Sequence, residues 1–267
     1  MKPTLYQGNK IDKQTIQQVE DALTNEEALQ INLNGKAFSL TMRSPGNDDE
    51  LIRGLLYSED VYRGQEPLQI KYSKAKDSII TEANIQIDES LIREGYSNSR
   101  NFLSASSCGI CGKTELESFD QACQLETNNQ LDINLLEPMF REMKSRQTTF
   151  HQTGGSHAAA AFTAAGELLC VMEDIGRHNA VDKVVGHLIN HNQLNQAFCL
   201  TVSGRISYEI VSKAFAAKIP VLAAVSAPSS LAVDFSKELG ISLLAFCRND
   251  KATCYAHPER LTITSGA

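Results

Sequence analysis

The chain has 267 residues, 42% of them hydrophobic, with 25 Lys and Arg against 32 Asp and Glu for a formal net charge of −7. That length suits one large domain or two small ones, and the apolar fraction is sufficient for a sizeable core. The acidic balance excludes general attraction to nucleic acid or to an anionic membrane surface, while leaving room for a local basic site that takes an anionic ligand.

The opening MKPTLYQGNKIDKQ has no apolar h-region of the kind a signal peptide needs. The longest apolar run, residues 219–233, is interrupted by Pro220, Ser226, Pro228 and two more serines, too short and too polar to span a bilayer. A cytoplasmic protein with no membrane and no nucleic-acid partner is expected. Seven cysteines, an odd number, in a chain without an export signal argue against a disulfide framework.

In chain order, the first recognisable unit is ALQINLNGKAFSLTM. Leu29, Ile31 and Leu33 alternate with polar residues, Asn34-Gly35 turns the chain, and Phe38, Leu40 and Met42 alternate again, which predicts a hairpin. SPGNDDELIRGLLYSED then starts a helix, capped by Asn47 or Asp48, with Leu51, Leu55 and Leu56 on one face. PLQIKYS and EANIQID are strand candidates. Residues 98–113, rich in Ser and Gly, predict an exposed, flexible loop or linker. KTELESFDQAC after it can be helical, and LLEPMFREMKS is helical with Leu136, Phe140 and Met143 on one stripe.

The second half alternates strands with helices. HAAAAF and ELLCVM are followed by NAVDKVVGHLI, whose Val181, Val184, Val185, Leu188 and Ile189 have helical spacing. AFCLTV, YEIVSKAFAA (Ile210, Val211 and Phe215 inward), VLAAV, PSSLAVDFSKELG and SLLAF complete the run. Pro228 suits a first helical turn and Gly240 a helix stop. This pattern predicts βαβ units and a partly parallel sheet. The expected organisation is a smaller α+β domain over 1–104, a loop and helix carrying a cysteine pair over 105–130, and an α/β domain over 131–267.

Ligands of open α/β sheets bind outside the carboxyl ends of strands. Those ends carry Glu173-Asp174-Ile175-Gly176-Arg177-His178, Ser203-Gly204-Arg205, Ser226-Ala227-Pro228-Ser229 and Cys247-Arg248-Asn249-Asp250-Lys251. Arg177, Arg205, Arg248 and Lys251 are donors suited to phosphates, beside the N–H groups of the helices that follow. Asp174 or Asp250 would accept from a base edge or a ribose. Two readings stand: a phosphate-bearing ligand, or ordinary surface loops with capping serines. TGGSH, Thr153 to His157, reads either as a strand-entry turn with His157 partly exposed or as a ligand contact. His178 either contacts a ligand or braces its own turn.

SSCGICGKTE places Cys108 and Cys111 two residues apart among Ser, Gly and Lys. One C-x-x-C supplies two of the roughly four ligands of a structural zinc site, and no second C-x-x-C exists. A thioredoxin-like dithiol would want a strand before it, and SNSRNFLSASS is a poor core strand. Sulfur carriage fits better: an exposed thiolate, favoured by Lys113, attacks a donor persulfide, and a second thiol assists release through a disulfide. Cys170 and Cys199, inside apolar strands, read as inert.

With these stretches assembled, the chain resembles the formate dehydrogenase accessory sulfurtransferases. The resemblance rests on TMRSPGNDDELIRGLL, SSCGICGK, TGGSHAAA, EDIGRHNAVDKVVG, SGRISYEIVSKA, VSAPSSLAV and YAHPERL. It implies a C-terminal cytidine deaminase-like three-layer α/β domain without zinc chemistry, and a homodimer. It implies sulfuration of the bis-molybdopterin guanine dinucleotide molybdenum cofactor for formate dehydrogenase, with sulfur arriving from a cysteine desulfurase. The family's persulfide cysteine falls on Cys108, and its cofactor-binding stretch on Phe246, Cys247, Arg248, Asn249, Asp250 and Lys251. Asp60 stands where the family commonly has glycine, a surface turn. The alternatives are a non-covalent cofactor-binding chaperone and a dithiol oxidoreductase using Cys108 and Cys111.

Overall fold

The computed structural model describes residues 3–74, 79–93, 95 and 124–264. Cys108 and Cys111, the Ser/Gly-rich stretch and KTELESFDQAC lie outside the described residues.

The chain opens with a two-stranded antiparallel hairpin, β1 (Thr4–Ile11) and β2 (Ile16–Leu23). Its largely polar alternation hides it in the sequence. A four-stranded sheet follows, in the order β4 (Lys36–Arg43), β3 (Glu27–Leu33), β6 (Ile80–Gln86), β5 (Gln69–Lys74). Asn34 and Gly35 both take positive φ, 49° and 77°, as a two-residue hairpin with this dipeptide requires. Helix α1 (Asp48–Ser58) covers the sheet. Leu29, Ile31, Leu33, Phe38, Leu51, Ile52, Leu56, Ala83 and Ile85 form one buried cluster. Leu40 and Met42 depart from the predicted alternation: they remain 38% and 42% exposed on the edge strand.

The helix starts where the sequence places it, with a different device. Asn47 occupies the cap position at φ 54° and makes no side-chain cap bond. Asp48 instead receives Arg43 Nε at 2.7 Å, both side chains buried. The turn after α1 holds Asp60 at φ 52°, a left-handed conformation that glycine adopts without strain. Asp60 draws Arg63 Nε to 2.6 Å and Arg93 Nε to 2.8 Å.

The second half centres on a six-stranded mixed sheet ordered β13 (Lys251–Ala256), β12 (Ser242–Arg248), β11 (Val221–Ala224), β10 (Cys199–Val202), β8 (His157–Phe162), β9 (Leu168–Asp174). Strands β10, β11 and β12 run parallel, and β13, β8 and β9 pair antiparallel to their neighbours. A short parallel pair, β7 (Leu131–Asp132) with β14 (Leu261–Thr262), lies beside it.

Two apolar clusters identify the layers. On one face Leu136, Met139, Phe140 and Met143 of α2 (Leu136–Ser145) pack on Ala158, Ala160, Phe162, Cys199, Val221 and Leu244. On the other, α4 (Arg177–Asn190), α5 (Tyr208–Ala216) and α6 (Ser230–Leu239) bury Val181, Val184, Val185, Leu188, Ile210, Val211, Ala232 and Leu239 against Leu200, Leu222 and Leu243. The short helix α3 (Thr148–Thr153) precedes β8. Gly240 ends α6 at φ 73°, and Ser229 caps its start by accepting from Ala232 N; Pro228 thus precedes the cap rather than filling the first turn.

The halves meet through α1 and α4. A Cβ at Gly54 would lie 1.8 Å from Asp182 O, and one at Gly186 would lie 1.8 Å from Glu50 O. Only hydrogen fits at either position, so the two helices cross backbone to backbone. Beside the crossing, buried Lys213 Nζ donates to both oxygens of Asp182 at 2.8 and 2.9 Å and lies 3.6 Å from Glu59 of the α1 terminus. Among the described residues, no helix is long and apolar enough to cross a membrane.

Candidate functional site at the carboxyl edge of the sheet

Register brings the sequence-selected loops to one edge. Because β9 and β10 both run antiparallel to β8, their carboxyl ends flank its start. His157 pairs with Asp174, and Val202 with Ala159. Ser203 continues the ladder: its N–H donates to Ala158 O at 2.9 Å, and its hydroxyl accepts from Ala158 N–H at 2.9 Å. Gly204 then passes close to its neighbours. A Cβ there would meet His157 Nδ1 at 3.3 Å and Arg177 Cβ and Cδ at 3.5 Å. His157, Arg177, Gly204 and Arg205 therefore share one spot, and TGGSH belongs to the edge rather than merely preceding a strand.

Asp174 is not available to a ligand, contrary to the sequence reading. It is fully buried. Its carboxylate receives Lys183 Nζ at 2.8 Å, Ser44 N at 3.1 Å, Gly176 N at 2.8 Å and Asn179 Nδ2 at 3.1 Å. Ser44 Oγ in turn accepts from Ile175 N, and Lys183 also donates to Ser44 O. The RSPG turn is thereby clamped to the turn that presents Arg177. Glu173 holds the other side, accepting from Thr149 N and Phe150 N at the start of α3 and from Ser156 Oγ. His178 braces locally, Nε2 lying 3.2 Å from Ser207 Oγ and 3.8 Å from Glu209.

Arg177 and Arg205 differ from these neutralised groups. Neither forms an ion pair among the described residues, and Arg177 Nε is buried without a hydrogen-bond partner. Burial above all, then the charges of Arg177 and Arg205, holds His157 below its ordinary range, Asp174 opposing in part.

The neighbouring strand ends complete the edge. Ile206 N donates to Ala227 O and Ser229 N to Ile206 O, lacing the β10 and β11 loops together. Phe246 N donates to Ser226 O, and Arg248 Nη2 to Val225 O at 2.6 Å. At Phe246 the ladder bulges: φ is 55° and the side chain is 42% exposed, a conformation uncommon for a bulky residue. Asn249 and Asp250 follow at φ 54° and 55°, a two-residue turn that sets Arg248 opposite Lys251. Cys247 points inward. Burial pushes its thiol up to about 12, as it does for Cys170, and raises Cys199 as well, so the sulfur of Cys247 serves the core while its backbone shapes the edge. The described residues contain no group of three or more His, Cys, Asp or Glu able to hold a metal ion.

Comparison with known proteins shows the family and the fold. A family model described as the FdhD/NarQ family matches residues 24–262. Proteins named sulfur carrier protein FdhD are similar along nearly their whole length. The one from Sulfolobus acidocaldarius is 41% identical, covering 91% of this chain and 92% of the relative. The one from Mycolicibacterium paratuberculosis is 40% identical, covering 90% and 92%. A solved structure of a protein described as a formate dehydrogenase accessory protein from Desulfotalea psychrophila superposes with a TM-score of 0.76 at 20% identity, covering 98% of this chain and all of that one; at that identity the likeness speaks for the fold.

Proposed function

The chain belongs to the FdhD/NarQ family, and on that premise we propose that it carries sulfur on Cys108 from a cysteine desulfurase to the bis-molybdopterin guanine dinucleotide molybdenum cofactor, for use by formate dehydrogenase. The observation that carries the cofactor part is the basic carboxyl edge, where Arg177 and Arg205 form no ion pair among the described residues around a glycine that admits a close approach. These guanidiniums, beside helix starts at Gly176 and Ser207 that have no side-chain cap among the described residues, are donors for phosphate oxygens.

The roles follow from position. Arg177, Ser203, Gly204 and Arg205 take a phosphate group. Phe246 offers a ring face to a guanine base, with Arg248, Asn249 and Lys251 alongside. Asp250, exposed, is the acceptor left for the N–H edge of guanine now that Asp174 is committed to Lys183. Cys247 contributes main chain only.

Sulfur moves in two balanced steps. The Cys108 thiolate attacks the outer sulfur of the desulfurase persulfide; the new S–S bond forms as the old one breaks, and the desulfurase thiolate leaves. Cys111 thiolate then attacks the inner sulfur of the Cys108 persulfide. A Cys108–Cys111 disulfide forms, and the outer sulfur departs as sulfide to the metal of the bound substrate, carrying the two electrons that the thiols lose. A cellular dithiol reduces the disulfide for the next cycle.

Intact-mass spectrometry after incubation with desulfurase and cysteine tests the covalent step. The expected result is a gain of one sulfur atom, localised to Cys108 by peptide mapping and reversed by a thiol reductant. No gain in the parent chain would favour a non-covalent chaperone instead.

A further inference from the structure

We propose that His157 is the proton-linked member of the anion site: its imidazole is neutral in the empty site and takes up a proton when a phosphate group binds between Arg177 and Arg205. This rests on the cofactor-binding reading above and adds a residue and a coupling that the reading does not require.

The geometry is specific. His157 begins β8, opposite Asp174 of β9 and beside Gly204 of the β10 loop. The absent side chain at Gly204 leaves Nδ1 3.3 Å from where a Cβ would stand, with Arg177 on the same spot. The charged groups acting on the ring come from three elements: Arg177 at the start of α4, Arg205 after β10, and Asp174 at the end of β9. Asp174 is already neutralised by Lys183 at 2.8 Å. Burial first, then the Arg177 guanidinium and, less strongly, that of Arg205 disfavour a third positive charge on the ring, Asp174 opposing them in part.

A bound phosphate reverses that balance. Its negative charge screens the ring from both guanidiniums and accepts a charge-assisted hydrogen bond from the imidazolium. The His157 pKa is then higher in the complex than in the free protein. By linkage, binding takes up protons over the interval between the two values, and the His157 contribution to affinity grows as pH falls through it. Phosphate groups titrate nearby in the opposite sense, so the comparison must be made against a variant that cannot ionise.

The test is calorimetric titration of the full chain with guanosine diphosphate, and separately with inorganic pyrophosphate, in two buffers of different ionisation enthalpy, for the parent and for His157→Gln. Glutamine keeps a hydrogen-bond donor and similar size but no charge, and circular dichroism checks its fold. Proton uptake in the parent, its loss in His157→Gln, and an affinity loss of about tenfold support the proposal. Equal proton uptake and equal affinity in both proteins overturn it while leaving the cofactor-binding reading intact. No binding of either probe to the parent overturns both. Equal binding of pyrophosphate and guanosine diphosphate assigns the recognition to phosphate alone; tighter binding of the nucleotide assigns a share to the base.

Discussion

Lys183 Nζ lies 2.8 Å from Asp174 Oδ2, and neither side chain reaches solvent. The pair joins the middle of α4 to the end of β9, and through Ser44 it joins both to the turn before α1. The residues that hold the basic edge in shape are therefore not the residues that would touch a ligand. Removing Lys183 leaves a carboxylate in the interior with only neutral donors. Breaking a buried pair from one side costs about 3–5 kcal/mol. Lys183→Met is expected to lose that much in urea unfolding, and Lys183→Met/Asp174→Asn less than the sum of the single changes. A loss below about 1 kcal/mol for Lys183→Met would remove the clamp from the account.

The crossing of α1 and α4 makes a second prediction. Gly54 and Gly186 each face a carbonyl of the other helix, and backbone cannot swing aside as a side chain can. Gly→Ala in a helix normally adds about 0.5–1 kcal/mol of stability. Here Gly54→Ala and Gly186→Ala are each expected to destabilise by at least about 2 kcal/mol through overpacking. Thermal melts of the two variants decide it; a raised melting temperature in either would mean the helices do not cross this closely.

Much of this was legible in the sequence because it is local. Asn34-Gly35 can turn only one way, and Leu136, Phe140 and Met143 bury as their spacing requires. The alternation of strands and helices brought Ser203, Arg205, Ser226 and Arg248 to one edge. What sequence reading missed is long-range. Asp174 looked like a ligand acceptor because nothing local shows that Lys183 turns back onto it. The signal was present: Val181, Asp182, Lys183, Val184 and Val185 are consecutive and all buried, and charges inside so apolar a run demand internal partners. For His157 the strand-entry turn and the ligand contact could not be told apart, because its place beside Gly204 and Arg177 depends on register between β8, β9 and β10. The hairpin β1–β2 went unseen because its faces are mostly polar.

Phe246 separates stability from binding. A ring at φ 55° strains the backbone by about 1 kcal/mol relative to glycine, while an exposed ring loses little by removal. Phe246→Gly is expected to match or exceed the parent in unfolding experiments yet bind guanosine diphosphate about tenfold more weakly, the scale of one lost base stack. Unchanged nucleotide affinity would release Phe246 from the site.

Acid should weaken the fold in a predictable direction. Burial, aided by Arg177 and Arg205 at His157 and by the stacked His191 at His187, holds both imidazoles below the ordinary value of 6.5. The unfolded chain therefore binds more protons than the folded one just below that value, so stability is lost as pH falls through it. Urea midpoints measured from about pH 7.5 to about pH 5.5 should decline, and His157→Gln/His187→Gln should flatten the decline. A parent midpoint that rises toward acid would contradict the assignment of both rings as neutral.

The most direct measurement is activation of formate dehydrogenase by Cys108→Ala. The variant should keep the parent's circular dichroism and guanosine diphosphate affinity, yet leave the enzyme without the activity that the parent chain restores in the presence of desulfurase and cysteine. Full activation by Cys108→Ala would show that no sulfur travels on this thiol, and the carrier account would fall.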